Sequence, residues 1–189
     1  TRWLSDWSSD VCSSDLSFAV GSIPFAVIVT FLFSHQKIHT LGDKNPGARN
    51  VYHHLGILPG LLTLLLDAGK GVILMVLIQG ADFSFAYSML FLLVGLLGHA
   101  FSPFLVFKGG QGVAMLIGAM FYLFSFPALL STVVFAILRK WIKQFDLRYS
   151  LVLVVFASMV FWHYPLSWSE RGMIVGLFLF PLLKGYFFR

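Results

Sequence analysis

Apolar residues fall into six long runs along this 189-residue chain, at 18–33, 57–79, 83–106, 113–138, 149–164 and 172–188. Short polar stretches holding glycine, proline and basic residues separate them. A helix needs about 20 residues to cross a ~30 Å hydrocarbon core, and about 17 is a lower limit. The runs have that scale, so the pattern predicts an all-α polytopic membrane protein. Six simple crossings are the first count.

The basic residues revise it. With the N-terminus outside, the segment 35–54 lies inside with Lys37, Lys44 and Arg49, and Lys108 follows it there. A single crossing by 113–138 then sends Arg139, Lys140, Lys143 and Arg148 outside, against the usual excess of Lys and Arg on cytoplasmic loops. A hairpin broken near Ser125-Phe126-Pro127 removes the conflict. Its arms, about a dozen residues each, are short by the length rule but suffice where a loop dips into the bilayer or the bilayer thins. The expectation is about seven transmembrane or partly spanning helices, N-out and C-in, with Lys184 and Arg189 ending inside. Trp141, Trp162 and Trp168 fit interfacial anchors.

Composition narrows the class. Apolar residues make up 58% of the chain and charged ones 11%, with a mean hydropathy of +0.86, more apolar surface than a soluble domain can hide. The net charge of +5 raises nucleic acid as a partner, but the basic residues are spread through short loops, as membrane topology requires. Membrane lipids, and no nucleic acid, are the expected partners. Cys12 is the single cysteine, so no intramolecular disulfide forms. Residues 1–16 stand apart, because their repeated Ser/Asp pattern lacks the basic start and apolar run of a signal peptide. They are read as a non-native or disordered tail, leaving 17–189 as one integral-membrane domain. Oligomeric state leaves no mark on the sequence.

Two loops carry the candidate chemistry. Phe107-Lys108-Gly109-Gly110-Gln111-Gly112-Val113 places three glycines in four positions beside a lysine. Glycine lets backbone approach a ligand closely, and N–H groups beside a cation form a concavity for an anionic oxygen. Such backbone is costly at membrane depth unless protein or water surrounds it, which marks a site. Gly42-Asp43-Lys44-Asn45-Pro46-Gly47-Ala48-Arg49-Asn50-Val51 is the second loop, again glycine-bearing and basic. Together they point to an enzyme that handles anions.

Each of these residues also has a plainer reading. Asn45, Gly47 and Asn50 suit turns and helix starts. Asp67 and Lys70, three residues apart in an apolar run, neutralise one another or line the site. His99 is a packing residue or a base. His35 and His39 have helical spacing for a metal, but no Cys or acidic third ligand stands nearby, and no metal is expected. Gly69-Lys70-Gly71 lacks the upstream glycine and following Ser/Thr of a nucleotide-binding loop, and no Gly-x-Ser-x-Gly elbow occurs.

A family resemblance runs from Gly21 to about Ser150. It rests on Gly21-Ser22-Ile23-Pro24-Phe25, then Asn45-Pro46-Gly47-Ala48 with Asn50-Val51, then Leu65-Leu66-Asp67 with Lys70-Gly71. Gly98-His99 and Phe107-Lys108-Gly109-Gly110 with Gly112-Val113-Ala114 complete it. In order and spacing these resemble the bacterial acyl-phosphate-dependent glycerol-3-phosphate acyltransferases, the PlsY family. The resemblance implies a seven-helix enzyme of the bacterial cytoplasmic (inner) membrane, its active site facing the cytoplasm. Such enzymes move a fatty acyl group from acyl phosphate to the 1-hydroxyl of glycerol 3-phosphate, giving lysophosphatidate and phosphate for phospholipid synthesis. Acyl phosphate is an already activated mixed anhydride, so the protein mainly positions two anions and screens their repulsion. No cofactor, thioester, metal or nucleotide is required. The implied substrate-binding residues are Asn45, Gly47, Arg49, Asn50, His53, Lys108, Gly109, Gly110, Gln111 and Gly112, with Asp43, Asp67, Lys70 and His99 behind them. No dedicated catalytic base is implied; Lys108 and the loop backbone do the positioning.

The chain departs from the family pattern G-S-G-N-x-G-A-T-N-V-x-R. Asp43 stands at the serine, Lys44 at the second glycine, Arg49 at the threonine and His53 at the final arginine, while Gln111 replaces the second lysine of K-G-G-K-G. A third motif, His followed by Asn-Ile, has no counterpart before Arg189. With a helix after Pro46, Arg49 and His53 share a face, and Arg49 supplies the charge a turn earlier. Asp43 repels a phosphate unless Lys44 or Arg49 pairs with it. These changes leave two alternatives open. One is a relative using another acceptor; the other is a non-catalytic membrane transporter or assembly protein, for which the Asp67/Lys70 pair and the missing motif speak.

Overall fold

The computed structural model describes residues 2–187, with side chains from Cys12 onward. Its elements are α1 (Arg2–Ser22), α2 (Phe25–Ser34), α3 (Ala48–Leu55), α4 (Ile57–Gly80), α5 (Phe85–Ala100), α6 (Val113–Leu123), α7 (Ser125–Leu138), α8 (Phe145–His163) and α9 (Trp168–Phe187). Short 3-10 turns lie at Ile38–Thr40 and Pro103–Leu105, and no strand occurs among the described residues. Among the described residues, four stretches are long and apolar enough to cross a membrane: Cys12–Ser34, Ile57–Gly80, Phe85–Leu105 and Phe145–His163. The apolar helices Val113–Leu123 and Ser125–Leu138 are shorter. The protein is an all-α membrane protein. Residues 2–16 and the start of the first apolar run share the single helix α1.

The fourth apolar run is divided, as its charge pattern demands, one residue ahead of the expected place. Phe124 leaves helical geometry at φ −138°, ψ 61°, separating an 11-residue α6 from a 14-residue α7. Pro127 explains the position. It has no N–H to donate, and in the first turn of a helix that donor has no intrahelical partner to lose.

The first apolar run is broken too, at Ile23-Pro24, between α1 and α2. A break inside lipid must find new donors for the carbonyls it frees. Lys70 Nζ on α4 supplies two, donating to Gly21 O at 3.1 Å and Ile23 O at 3.0 Å. Ser102 Oγ supplies the third, donating to Ser22 O at 2.7 Å. Lys70 is also 2.9 Å from Asp67 Oδ1, and both residues are buried. The pair neutralises itself while tying α4 to the break.

Between helices in lipid, close backbone approach and dispersion contacts replace water exclusion as the binding force. The most extensive contacts are between α4 and α6 and between α1 and α5. Glycine makes them possible. A Cβ on Gly71 would overlap the Met115 carbonyl, and one on Gly118 the Ala68 carbonyl. Gly21 meets Gly95, and Gly98 meets Phe18, in the same way across α1 and α5. Around these crossings Leu74, Met75, Leu92, Leu96, Met115 and Leu116 are fully buried. The consequence for function is positional: α4, α5 and α6 hold the two ends of the glycine loop.

Candidate active site

The loop between α5 and α6 folds back on the end of α5. Gly109 N–H donates to Ala100 O at 3.0 Å. A Cβ on Gly109 would overlap the His99 carbonyl; one on Gly110 would press on the His99 ring and on Pro46 O of the other loop. The glycines therefore let the two loops and His99 meet, and Gly109 gives its N–H to α5 rather than keeping it free for a ligand. Val106 (φ 51°) and Phe107 (φ 60°) take left-handed backbone that side chains of this kind rarely adopt. Hydrogen bonds from their N–H groups to Pro103 O and Ser102 O hold them there. Such residues cost about 1–3 kcal/mol each and cluster at functional sites.

The loop after α2 is braced differently. Asn50, buried in α3, donates from Nδ2 to Leu41 O at 2.9 Å and to Asn45 O at 3.1 Å. Asp43 Oδ1 accepts from Asn45 N–H at 3.1 Å, a local turn rather than the pairing with Lys44 or Arg49 that charge alone suggested. The helix expected after Pro46 is α3, which places Arg49 and His53 on one face.

One cavity of about 1610 Å³ brings these pieces together. Asp43, Asn45, Gly47, Arg49 and His53 line it from one side. Lys108, Gly109, Gly110, Gln111 and Gly112 line it from the other, with Asp67 and His99 beneath. His99 is buried, its Nδ1 3.9 Å from Asp67 Oδ1. Two residues singled out on sequence do not reach it: Asn50 braces its loop, and Lys70 caps the α1–α2 break.

Four cations join from parts of the chain that the loop motifs do not touch: Arg139 and Lys143 from the turn between α7 and α8, Arg148 from α8 and Lys184 from α9. Their sequence signal was the charge bias that placed them on the same side as the loops, which says nothing of convergence on one site. Gly185 also lines the cavity and packs against the Gln111 side chain. Seven of the chain's 13 lysines and arginines thus face this cavity, against the two aspartates Asp43 and Asp67. Such a balance attracts anions and focuses their field. The far wall is apolar, formed by Met120, Leu153, Phe156 and Phe178. No group of three metal-holding side chains occurs among the described residues.

Among the described residues, two buried polar atoms in the lining lack a partner: Ser131 Oγ and Arg148 Nε. Asp67 Oδ1 is satisfied by Lys70 at 2.9 Å. Buried polar atoms are normally satisfied, so these two mark where a ligand could complete the network.

The chain matches the sequence model of the family "Glycerol-3-phosphate acyltransferase" over residues 12–186. It belongs to that family. Similar members of the glycerol-3-phosphate acyltransferases include one from Bordetella petrii, 34% identical over 175 residues, covering 90% of this chain and 82% of the relative. One from Endomicrobium trichonymphae is 38% identical over 122 residues, covering 65% of this chain. That match spans 61% of the relative's own length, under two thirds. Among solved structures the chain resembles PlsY (YgiH), described as an integral membrane glycerol 3-phosphate acyltransferase. Its glycerol 3-phosphate form superposes with a TM-score of 0.81 at 27% identity, covering 93% of this chain and 88% of that one. Its lysophosphatidic acid form gives 0.80 at 26%, covering 94% and 88%.

Proposed function

We propose that this protein transfers a fatty acyl group from acyl phosphate to the 1-hydroxyl of glycerol 3-phosphate, releasing lysophosphatidate and phosphate. The observation that carries this reading is the cavity itself, whose lining combines two glycine loops and seven cations with an apolar wall. Both reactants are phosphate anions that repel one another, and one carries a long chain. A site for them needs dense positive charge, backbone that approaches closely, and an apolar recess.

The reaction asks little more of the protein. The acceptor oxygen bonds the acyl carbon, the bond from that carbon to the phosphate oxygen breaks, and phosphate departs with the electron pair and takes up the hydroxyl proton. Because the donor is a mixed anhydride, positioning and charge screening by Lys108 and its neighbours supply most of the assistance. His99, packed under Gly110 beside Asp67, supports the loop rather than meeting the solvent side of the cavity.

The active site faces the cytoplasm of a bacterial inner membrane in this reading, with seven helical segments, N-out and C-in. The cavity supports it: its lining draws residues from each of the stretches 43–53, 105–114, 139–149 and 184–185. If α6 and α7 made one crossing, the second and third of these groups would be separated by the bilayer. The other readings are set aside, since family membership and the relatives' names favour acyl transfer to glycerol 3-phosphate over another acceptor or a transporter. The test uses purified protein in nanodiscs, palmitoyl phosphate and isotope-labelled glycerol 3-phosphate, with mass spectrometry of the lipid product. Labelled lysophosphatidate is the expected result. Its absence from folded protein, at substrate levels that saturate the relatives, removes the reading.

A further inference from the structure

One buried serine joins the break between α1 and α2 to the turn that presents Lys108. Ser102 is 1% exposed and lies outside the cavity lining. It stands before Pro103, whose ring keeps it extended at φ −57°, ψ 126°, at the start of the Pro103–Leu105 turn. A serine in such a place commonly bonds its own turn two or three residues on. Ser102 makes no such bond. Its Oγ instead donates at 2.7 Å to Ser22 O, 80 residues back, one of the carbonyls freed at the break.

The other oxygen of Ser102 works on the loop. Ser102 O accepts from Leu105 N–H and from Phe107 N–H, both at 3.0 Å. The second bond holds Phe107 in left-handed backbone immediately before Lys108. Lys108 N–H in turn donates to Leu105 O at 3.0 Å, and Gly109 N–H to Ala100 O at 3.0 Å. The backbone around Lys108 is therefore hung on Ser102 and on the end of α5. Left-handed backbone at Val106 and Phe107 persists only while its surroundings over-determine it. Freeing Ser102 lets that turn relax, and the direction of Lys108 with it.

The break also leads to the other loop. From Pro24 the chain runs through α2, 10 residues long, into the segment carrying Asp43 to Arg49. The two loops meet where Gly110 lies against Pro46 O, and their bases are joined again through Ser102 and Ser22. Two ties between the same two segments fix their orientation, whereas one alone leaves a pivot. We propose that Ser102 is a positioning residue, which aims Lys108 into the cavity by tying its loop to the α1–α2 break. The kinetic consequence rests on the acyl-transfer reading; the tie itself stands on the hydrogen bonds.

Ser102→Ala removes the hydroxyl alone. Ser88→Ala makes the same change at a buried hydroxyl of α5 outside the cavity lining, and reports what such a loss does to stability by itself. In nanodiscs, Ser102→Ala lowers kcat/KM for acyl transfer to glycerol 3-phosphate by about three- to tenfold, the worth of one hydrogen bond, while Ser88→Ala stays within about twofold of wild type. The deciding measurement is the cycle with Lys108→Ala. Because Ser102 acts through Lys108, Ser102→Ala costs less than about twofold once Lys108 is gone. An equal loss in both backgrounds overturns the proposal, as does a Ser102→Ala enzyme with wild-type kinetics.

A second arm needs no turnover. Amide hydrogen exchange of the peptide spanning 103–109 accelerates in Ser102→Ala and not in Ser88→Ala, while α4 and α6 keep their wild-type rates. Unchanged exchange in 103–109 overturns the tie, and so does acceleration across the whole protein, which marks a lost fold rather than a lost aim. If the wild-type protein turns nothing over but the exchange result holds, the acyl-transfer reading fails and the tie survives.

Discussion

Replacing Lys70 by Met tests whether the Asp67–Lys70 pair is a structural tie rather than part of the chemistry. Methionine keeps the length and apolar stem of the side chain. It removes the ion pair at 2.9 Å and the donors to Gly21 O and Ile23 O. Asp67 is 2% exposed, so its carboxylate is left buried and unpaired, at a cost of about 3–5 kcal/mol. Two freed carbonyls at the α1–α2 break add about 1 kcal/mol or more. With roughly 2–4 °C of Tm per kcal/mol for a chain of this size, Lys70→Met lowers Tm by about 8–24 °C. Thermal unfolding in nanodiscs, followed by intrinsic fluorescence, reads this directly. The decisive comparison is the double variant Asp67→Asn/Lys70→Met. It removes the stranded charge but leaves the carbonyls bare, so it recovers part of the loss, with a coupling of about 1–3 kcal/mol between the sites. Strict additivity of the two substitutions, or a Lys70→Met protein as stable as wild type, refutes the argument.

Other outcomes follow from the same structure. Gly118→Val places a side chain against the Ala68 backbone and pushes α6 off α4, costing about 1–3 kcal/mol, visible as a lower Tm in the same assay; an unchanged Tm would show the crossing is looser than described. At the start of α9, Glu170 Oε2 accepts from the N–H and hydroxyl of Ser167, both at 2.7 Å, and these bonds hold its carboxyl below the usual glutamate range. Its contribution to stability is therefore present above the ordinary glutamate pKa and disappears as pH falls through the depressed folded value. The Tm difference between wild type and Glu170→Gln shrinks on acidification across that window; a difference that stays constant rules out the linkage.

Much of the fold was written in the apolar runs, because a membrane helix must be long and continuous. α4 and α8 follow theirs closely, and the division of 113–138 followed from the conflict between one crossing and the charges at Arg139 to Arg148. The break at Ile23-Pro24 was quoted only as a motif. Its meaning needs Lys70 and Ser102, which lie 47 or more residues away. The site was half legible for a similar reason. Loop glycines and Lys108 announce themselves locally, and so does the shared face of Arg49 and His53. The resemblance placed Asn50 in the site and Lys70 behind it, whereas their hydrogen bonds go to backbone. Arg139 and Lys143 come from the turn after α7, Arg148 from α8 and Lys184 from α9. Only the packing of α3, α7, α8 and α9 brings them to one cavity, and no local pattern records that.

Phosphate release from palmitoyl phosphate by the purified protein in nanodiscs, with and without glycerol 3-phosphate, and repeated with Lys108→Ala, tests the central claim most directly. The account predicts release that requires the acceptor. Lys108→Ala then loses about 10- to 100-fold in kcat/KM, the worth of one charged contact to phosphate, with Tm unchanged because Lys108 is exposed. Release that ignores glycerol 3-phosphate, or that survives Lys108→Ala undiminished, would contradict it.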